Sequence, residues 1–349
     1  MTTRTETLPP TEQEIAAAAA TTGRLRDALN NVLFGQETLV EMVMIGLLSR
    51  GHILLEGLPG LGKTALVKGL SRALQLQFKR VQFTPDLLPG DITGNPVLQE
   101  KEGGRVFVFQ PGPLFANLVL ADEINRASPK TQSALLEAMQ ERQVTVMGEV
   151  HALPDPFFVL ATQNPIELEG TYPLPEAQLD RFLLKIDVTR CNVSTLEKIV
   201  LNRQIGVEPE IPAVLSHDDL NRVLDLAQRV YLPPVVANYI ARLVEGTHSI
   251  AELGIRYGAS PRAALALAAA ARARALLASR PNASTEDVRA VAPAILQHRI
   301  VLDYNARLEG ASTATIIEKL LAQIPAHDLE RPKTLLDAKI QGLTVPCAS

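Results

Sequence analysis

A short glycine-rich run ends in a lysine and a threonine, at a spacing that can hold a phosphate chain. Residues 57–64 read Gly-Leu-Pro-Gly-Leu-Gly-Lys-Thr, which is the Walker A pattern. Glycines allow successive backbone N–H groups to turn towards an anion, Lys63 can reach the β- and γ-phosphates, and the Thr64 hydroxyl can ligate Mg²⁺. The run lies between an apolar, β-compatible segment, 52–56, and a segment with helical apolar spacing, 65–74. The sequence therefore predicts a nucleoside triphosphate site.

Two acidic residues follow an apolar strand candidate, 117–121, in the form of a Walker B motif. Asp122 would hold the Mg²⁺ shell beside Thr64, and Glu123 would orient and polarise the attacking water. The next strand candidate, 157–162, is followed by Gln163 and Asn164. An amide there would lie near the γ-phosphate and could hold the water, although Asn before Pro is also a common turn initiator. The second acid favours hydrolysis by water over transfer to another acceptor.

Short apolar runs alternate with helical segments between residues 51 and 188, which predicts an α/β fold with a parallel sheet covered by helices. The strand candidates are 52–56, 79–83, 117–121, 157–162 and 182–188. Two interruptions, 94–110 and 143–153, have the patterns of added hairpins. Helices are expected from Glu14 to Leu33 and from Gln36 to Arg50.

The character of the chain changes after residue 190, where Ala, Leu and Arg recur with helical periodicity. This change predicts three parts: a mobile tail, 1–12; an α/β nucleotide-binding domain, 13–190; and a smaller all-α domain, 191–349.

Composition limits the class of protein. Hydrophobic residues make up 46% of 349, enough to bury a core, so a mostly disordered chain is excluded. The net charge is −4 and no long basic tract occurs, so nucleic acid is not an expected partner. Cys191 and Cys347 are far apart, no apolar run reaches membrane-spanning length, and the N-terminus lacks a secretion signal pattern. A soluble cytoplasmic protein is expected.

The order of these motifs resembles an AAA+ ATPase, and three longer stretches closely resemble the MoxR family. The stretches are 84–91 (Thr-Pro-Asp-Leu-Leu-Pro-Gly-Asp), 122–127 (Asp-Glu-Ile-Asn-Arg-Ala) and 169–182 (Glu-Gly-Thr-Tyr-Pro-Leu-Pro-Glu-Ala-Gln-Leu-Asp-Arg-Phe). The resemblance extends from about residue 30 onward. It implies a P-loop sheet between helices followed by a helical lid, Mg²⁺-dependent ATP hydrolysis, and a homo-oligomeric, hexameric ring.

The resemblance also implies roles for single residues. Arg181 corresponds to an arginine finger directed at a neighbouring subunit's nucleotide, and Arg262, in the segment 257–262, to a sensor 2 arginine on the γ-phosphate. The hairpins 94–110 and 143–153 correspond to a helix-2 insert and a pre-sensor-1 hairpin. The implied catalytic set is Lys63, Glu123, Asn164, Arg181 and Arg262, and the implied nucleotide and metal ligands are Val32, Phe34, Gly35, Pro59, Gly60, Leu61, Gly62, Lys63, Thr64, Ala65 and Asp122.

The expected function is chaperone-like remodelling of a protein client in maturation, metal insertion or complex assembly. Because no Asp-x-Ser-x-Ser motif occurs, a von Willebrand A domain collaborator would be on another chain. A magnesium-chelatase-like ATPase subunit stays open as an alternative, since it shares the helix-2 insert. A nucleic-acid motor is disfavoured by the acidic balance, and a nucleotide-gated scaffold with negligible turnover by the intact Glu123, Asn164 and Arg181.

Overall fold

The computed structural model describes residues 10–57, 62–101, 104–165, 171–188, 192–204, 207 and 211–326. The strands are β1 (Ile53–Glu56), β2 (Phe78–Gln82), β3 (Gly94–Lys101), β4 (Gly104–Pro111), β5 (Leu118–Asp122), β6 (Gln143–Val146), β7 (Glu149–Ala152), β8 (Phe158–Gln163), β9 (Leu184–Asp187), β10 (Ile255–Tyr257) and β11 (Val301–Leu302).

The described helices lie on both sides of these strands and after them. They are α1 (Glu12–Asn30), α2 (Glu37–Leu48), α3 (Lys63–Leu74), α4 (Pro89–Thr93), α5 (Pro129–Glu141), α6 (Glu176–Leu179), α7 (Val193–Asn202), α8 (His217–Arg229), α9 (Pro234–Ser249), α10 (Pro261–Leu277), α11 (Thr285–Leu296), α12 (Tyr304–Leu308) and α13 (Thr313–Gln323). Among the described helices, none combines the length and apolar character needed to cross a membrane.

Five parallel strands form the central sheet in the order β2-β5-β8-β1-β9. The three inner strands are continuous apolar runs, as expected for a parallel sheet covered on both faces, and their apolar side chains are almost fully buried. The α/β prediction is confirmed, with each strand within two residues of its predicted bounds. Both predicted hairpins are also present, as the antiparallel pairs β3–β4 and β6–β7.

The N-terminal helix begins earlier than the sequence pattern suggested. Thr11 caps α1 by accepting a hydrogen bond from the Glu14 N–H, while the Glu14 carboxylate accepts from the Thr11 N–H. The predicted mobile tail, 1–12, therefore includes the N-cap and the first residue of a capped helix; residues 1–9 lie outside the described part. At its other end α1 stops at Asn30, not Leu33.

Among the described residues after 191, the regular structure is helical except for one small antiparallel pair, β10–β11, which the all-α prediction did not include. Helix α10 is rich in alanine, and its small side chains are mostly buried against α9, α11 and α2. A single hydrophobic core joins α1, α2 and α3 to the lid helices α8–α11, whereas a second core on the opposite face of the sheet is built around α5. The lid therefore packs against the N-terminal helices, and this contact determines where its arginines lie.

Candidate active site

A cavity of about 360 Å³ opens where β1, β5 and β8 end. Carboxyl ends of parallel strands meet at one edge of a sheet, so residues that follow those strands come together there. The lining residues are Gly57, Gly62, Lys63, Thr64, Ala65, Arg80, Gln82, Asp122, Glu123, Thr162 and Asn164. The described Walker A residues, the Walker B acids and Asn164 thus share one cavity. Pro59, Gly60 and Leu61 lie outside the described residues.

The phosphate cradle is positioned by the start of α3. Gly62 has a φ of +80°, in the left-handed region, and a Cβ there would meet Leu33 Cδ2 at 3.0 Å. Helix α3 begins at Lys63, so its free N–H groups and the positive end of its dipole face the cavity. Lys63 Nζ donates to the Gly57 carbonyl at 2.6 Å. Burial lowers the pKa of Lys63, while Asp122 and Glu123 act in the opposite direction.

Asp122 is held by hydrogen bonds on both carboxylate oxygens. Its Oδ1 accepts from the Thr162 hydroxyl at 2.6 Å, and its Oδ2 accepts from Arg80 Nη2 at 2.7 Å. Asp122 and Thr64 offer a carboxylate and a hydroxyl in the same cavity, which is the hard oxygen donor set that Mg²⁺ prefers. The residues present therefore fit a magnesium ion in this cavity.

Glu123 adopts a strained backbone conformation, with φ 57° and ψ 52°. A left-handed conformation costs a non-glycine residue about 1–2 kcal/mol and persists only where the surrounding structure holds it. Here the Glu123 N–H donates to the Thr162 hydroxyl at 2.8 Å, and its carboxylate accepts from Gln82 and Arg126 at 3.2 and 3.1 Å. These contacts hold the Glu123 carboxylate at the wall of the cavity. A group that activates the attacking water must lie there, because it has to be within hydrogen-bond reach of that water.

The expected adenine segment lies beside the cavity without lining it. Leu33 contacts Gly62, and Gly35, with a φ of +67°, packs so closely on Thr195 that a Cβ would meet its Oγ1 at 2.0 Å. Arg203 lies over the Phe34 ring and donates to the Val32 carbonyl. Val32, Phe34 and Gly35 are therefore fixed next to the start of α3 by the segment around α7.

The two predicted arginines lie at a different edge of the sheet. The Leu183 N–H donates to the His52 carbonyl, at the start of β1, whereas the cradle follows the end of that strand. The four residues of β1 separate these positions by about 13 Å. Within the described residues, the Arg181 guanidinium has no hydrogen bond or ion pair. Neither Arg181 nor Arg262 lines the cavity of its own chain.

Arg262 pairs with Asp180, away from the phosphate cavity. Its Nη1 lies 3.3 Å from Asp180 Oδ2, which also accepts from the Ser260 hydroxyl at 3.1 Å. Asp180 Oδ1 accepts from Arg299 Nε at 2.7 Å, and the buried Arg299 also donates to the Phe182 carbonyl. Burial lowers the pKa of Arg299, and the bond to Asp180 opposes this change. Through Arg262 and Arg299, the lid is attached to Asp180, the residue that precedes Arg181. The packing of the lid helices on α1 and α2 places these arginines there.

Sequence reasoning missed Arg80, Gln82, Thr162, Asp180 and Arg299. The alternation of β2 gave a weak signal for Arg80 and Gln82, since residues two apart point to the same face. The contacts between Asp180 and Arg299, which are 119 residues apart, carry no local signal.

Comparisons with known proteins agree with this geometry. Residues 52–184 match the model of the ATPase family associated with various cellular activities (AAA), and residues 247–320 match the AAA lid domain. The chain is 42% identical to Chaperone MoxR1 of Mycobacterium tuberculosis over 91% of its own length and 86% of that protein. It is also 42% identical to YeaC of Bacillus subtilis, over 86% of its length and 93% of that protein.

A solved crystal structure of a Cytophaga hutchinsonii protein superimposes with a TM-score of 0.84 at 40% identity, covering 90% of this chain and 97% of that one. The sheet order, the cavity at its carboxyl edge and the helical lid agree with these matches. The chain belongs to the MoxR family of AAA ATPases, and it hydrolyses ATP.

Proposed function

We propose that this ATPase remodels a client protein, and that each hydrolytic site is shared between two neighbouring copies in a ring. The observation that carries the proposal is the separation of the cavity from the arginines within one chain. Lys63, Asp122 and Glu123 lie at the carboxyl edge of the sheet, and Arg181 lies at the other edge of β1 and β9. A head-to-tail ring brings unlike surfaces of successive copies together, so it can complete each cavity with the next copy's guanidinium.

In this proposal Lys63 and the helix α3 N-terminus bind the β- and γ-phosphates of ATP, and Thr64 and Asp122 hold Mg²⁺. When bound, Mg²⁺ would neutralise part of the charge on the transferred phosphoryl group. The Glu123 carboxylate accepts a hydrogen bond from the attacking water and orients it, and the Asn164 amide fixes its position. Arg181 from the neighbouring copy stabilises the charge that develops in the transition state.

Arg262 then acts on the neighbouring nucleotide together with Arg181, not on the nucleotide of its own chain. Both are joined through Asp180, since Arg262 pairs with it and Arg181 follows it in the chain. Arg299 ties the same carboxylate to the lid with a nearly buried ion pair. A change in the neighbour's nucleotide would thus be transmitted to the lid of this chain.

A protein client is supported by the name of Chaperone MoxR1 and by the two hairpins. Their exposed positions carry large apolar side chains, among them Leu98 and Phe107 on β3–β4 and Met147 and Val150 on β6–β7. The two hairpins contact each other through β3 and β6, and large apolar side chains exposed close together typically mark an interaction surface. A hexameric ring and a von Willebrand A protein as collaborator remain our proposals for the assembly.

The experiment uses Glu123→Gln, which keeps the shape of the side chain and removes its charge. We expect ATP to stay bound, hydrolysis to fall by roughly 10²–10⁴-fold, and the ATP-bound variant to accumulate as a ring in analytical ultracentrifugation. Glu149→Gln, on the β6–β7 hairpin, is the matched control and should hydrolyse ATP normally. Near-normal turnover of Glu123→Gln, or a monomer at saturating ATP, would contradict the proposal.

A further inference from the structure

The carboxylate that faces the metal site already holds a cation from its own chain. Arg80 donates to Asp122 Oδ2 through Nη2 at 2.7 Å and through Nε at 3.2 Å. The other oxygen, Oδ1, accepts from the Thr162 hydroxyl at 2.6 Å. A divalent ion that approaches Asp122 therefore meets a carboxylate whose charge is balanced by a guanidinium.

Strand register explains how Arg80 reaches this position. Edge strand β2 pairs with β5 so that Gln82 lies opposite Asp122 and Arg80 opposite Leu120. Arg80 and Gln82 are two residues apart, so their side chains point to the same face, where Arg80 Nη2 also donates to Gln82 Oε1 at 2.9 Å. Lys79, which precedes Arg80, points to the opposite face. The edge strand thus delivers one hydrogen-bonding side chain to each Walker B acid.

The pair between Arg80 and Asp122 is much more exposed than the pair between Arg299 and Asp180. The Arg80 side chain is 47% exposed, whereas that of Arg299 is 2% exposed in its pair with Asp180. A half-exposed arginine can leave its partner for water at small cost, since such pairs contribute little free energy. A buried one cannot, because its charge would be left without compensation. Arg80 can therefore compete with a metal cation for Asp122, because it donates two hydrogen bonds to that carboxylate. It can also be displaced, because its pair with Asp122 is half exposed.

We propose that Arg80 is a displaceable counter-cation of Asp122, which weakens the binding of divalent cations to the nucleotide-free site and leaves the carboxylate when Mg²⁺ enters with ATP. This inference rests on the proposed role of Asp122 at the metal. Arg80 also lines the phosphate cavity, so its charge favours a nucleotide there even in the absence of metal. It is a positioning residue that links metal entry to nucleotide entry.

Two binding measurements on the full chain test this, and they are expected to change in opposite directions. In Arg80→Ala without nucleotide, Mn²⁺ titrated by electron paramagnetic resonance should bind roughly three- to tenfold more tightly, because one positive charge near the ion is removed. In EDTA, metal-free ATP should bind several-fold more weakly to the same variant. Arg80→Lys, which keeps the charge without the two-donor fork, should fall between wild type and Arg80→Ala.

Lys79→Ala is the matched control, since it removes an equal charge from the same strand on the opposite face. It should change neither measurement. Mn²⁺ affinity in Arg80→Ala equal to that of Lys79→Ala, or both affinities of Arg80→Ala weakened together, would overturn the proposal. In an Asp122→Asn background, the effect of Arg80→Ala on Mn²⁺ should disappear; if it persists, Arg80 does not act through Asp122. Unchanged Mn²⁺–ATP affinity in Asp122→Asn alone would instead refute the metal role of Asp122.

Discussion

The two edges of the central sheet differ in how their charges are held. At the carboxyl edge, Lys63, Asp122 and Glu123 line an open cavity, and the cations that pair with the acids, Arg80 and Arg126, are themselves about half exposed. At the other edge, Asp180 is fixed by the nearly buried Arg299, while Arg181 is left without a side-chain partner among the described residues. At the carboxyl edge, ligands can therefore enter and replace these exposed counter-cations. The second edge is built as a rigid support that presents one arginine outward.

The largest effect is expected from removing that arginine. Arg181→Ala should bind ATP as wild type does, because Arg181 does not line the cavity of its own chain. Its hydrolysis in the assembled ring should fall by roughly 10³–10⁵-fold, the range for arginine fingers supplied by a neighbour. Fluorescent-nucleotide titration and steady-state turnover measure the two quantities separately. Weakened ATP binding in dilute, monomeric Arg181→Ala would show that Arg181 contacts the nucleotide of its own chain, which would contradict the proposal.

A second prediction concerns the rigidity of the arginine edge. His52 is buried at the start of β1, where Nδ1 accepts from the Val159 N–H and Nε2 donates to the Met139 carbonyl, each at 3.0 Å. Burial lowers its pKa to about 4. Since the unfolded value is about 6.5, this histidine stabilises the fold fully above pH 6.5, and that contribution is lost as the pH falls towards 4; the loss amounts to about 3 kcal/mol.

Urea denaturation between pH 7 and pH 4 measures this loss. His52→Leu should be less stable at pH 7, because two hydrogen bonds are removed, but its free energy of unfolding should depend less on pH than that of wild type. His217→Gln, which changes a histidine at the surface, is the control and should retain the wild-type slope. A wild-type slope in His52→Leu would show that other groups cause the acid sensitivity.

The smallest effect on stability should come from Arg262. Its pair with Asp180 is half exposed and Asp180 keeps its bond to Arg299, so Arg262→Ala should cost less than about 1 kcal/mol of folding free energy. Turnover of the ring should nevertheless fall by more than that loss explains, if Arg262 faces a neighbouring nucleotide. Arg222→Ala, which removes another exposed helix pair, serves as the control. Normal turnover in Arg262→Ala would limit this residue to holding the lid.

The local sequence was sufficient to predict most of the site residues at the carboxyl edge of the sheet. It was insufficient to predict the contacts at the edge where Arg181 lies. Lys63, Thr64, Asp122 and Glu123 follow strands at short, recognisable spacings, so their meeting at one edge could be predicted from the parallel sheet alone. The position of Arg262 could not, because it depends on the lid packing against α1 and α2 and on a contact with Asp180, 82 residues away. Arg80 was missed for a similar reason, since its contact with Asp122 depends on β2 pairing with β5.

A mixing experiment tests the shared site most directly. Lys63→Ala lacks the cation of the cradle but keeps Arg181, and Arg181→Ala has the reverse defect. Each variant alone should be nearly inactive, whereas mixed rings contain interfaces with an intact cradle on one copy and an intact arginine on the next. We predict that ATPase activity passes through a maximum as the mixing ratio is varied, well above the sum of the two variants. If mixed rings form, as shown by native mass spectrometry, and the activity never exceeds that sum, the hydrolytic site is not shared between copies.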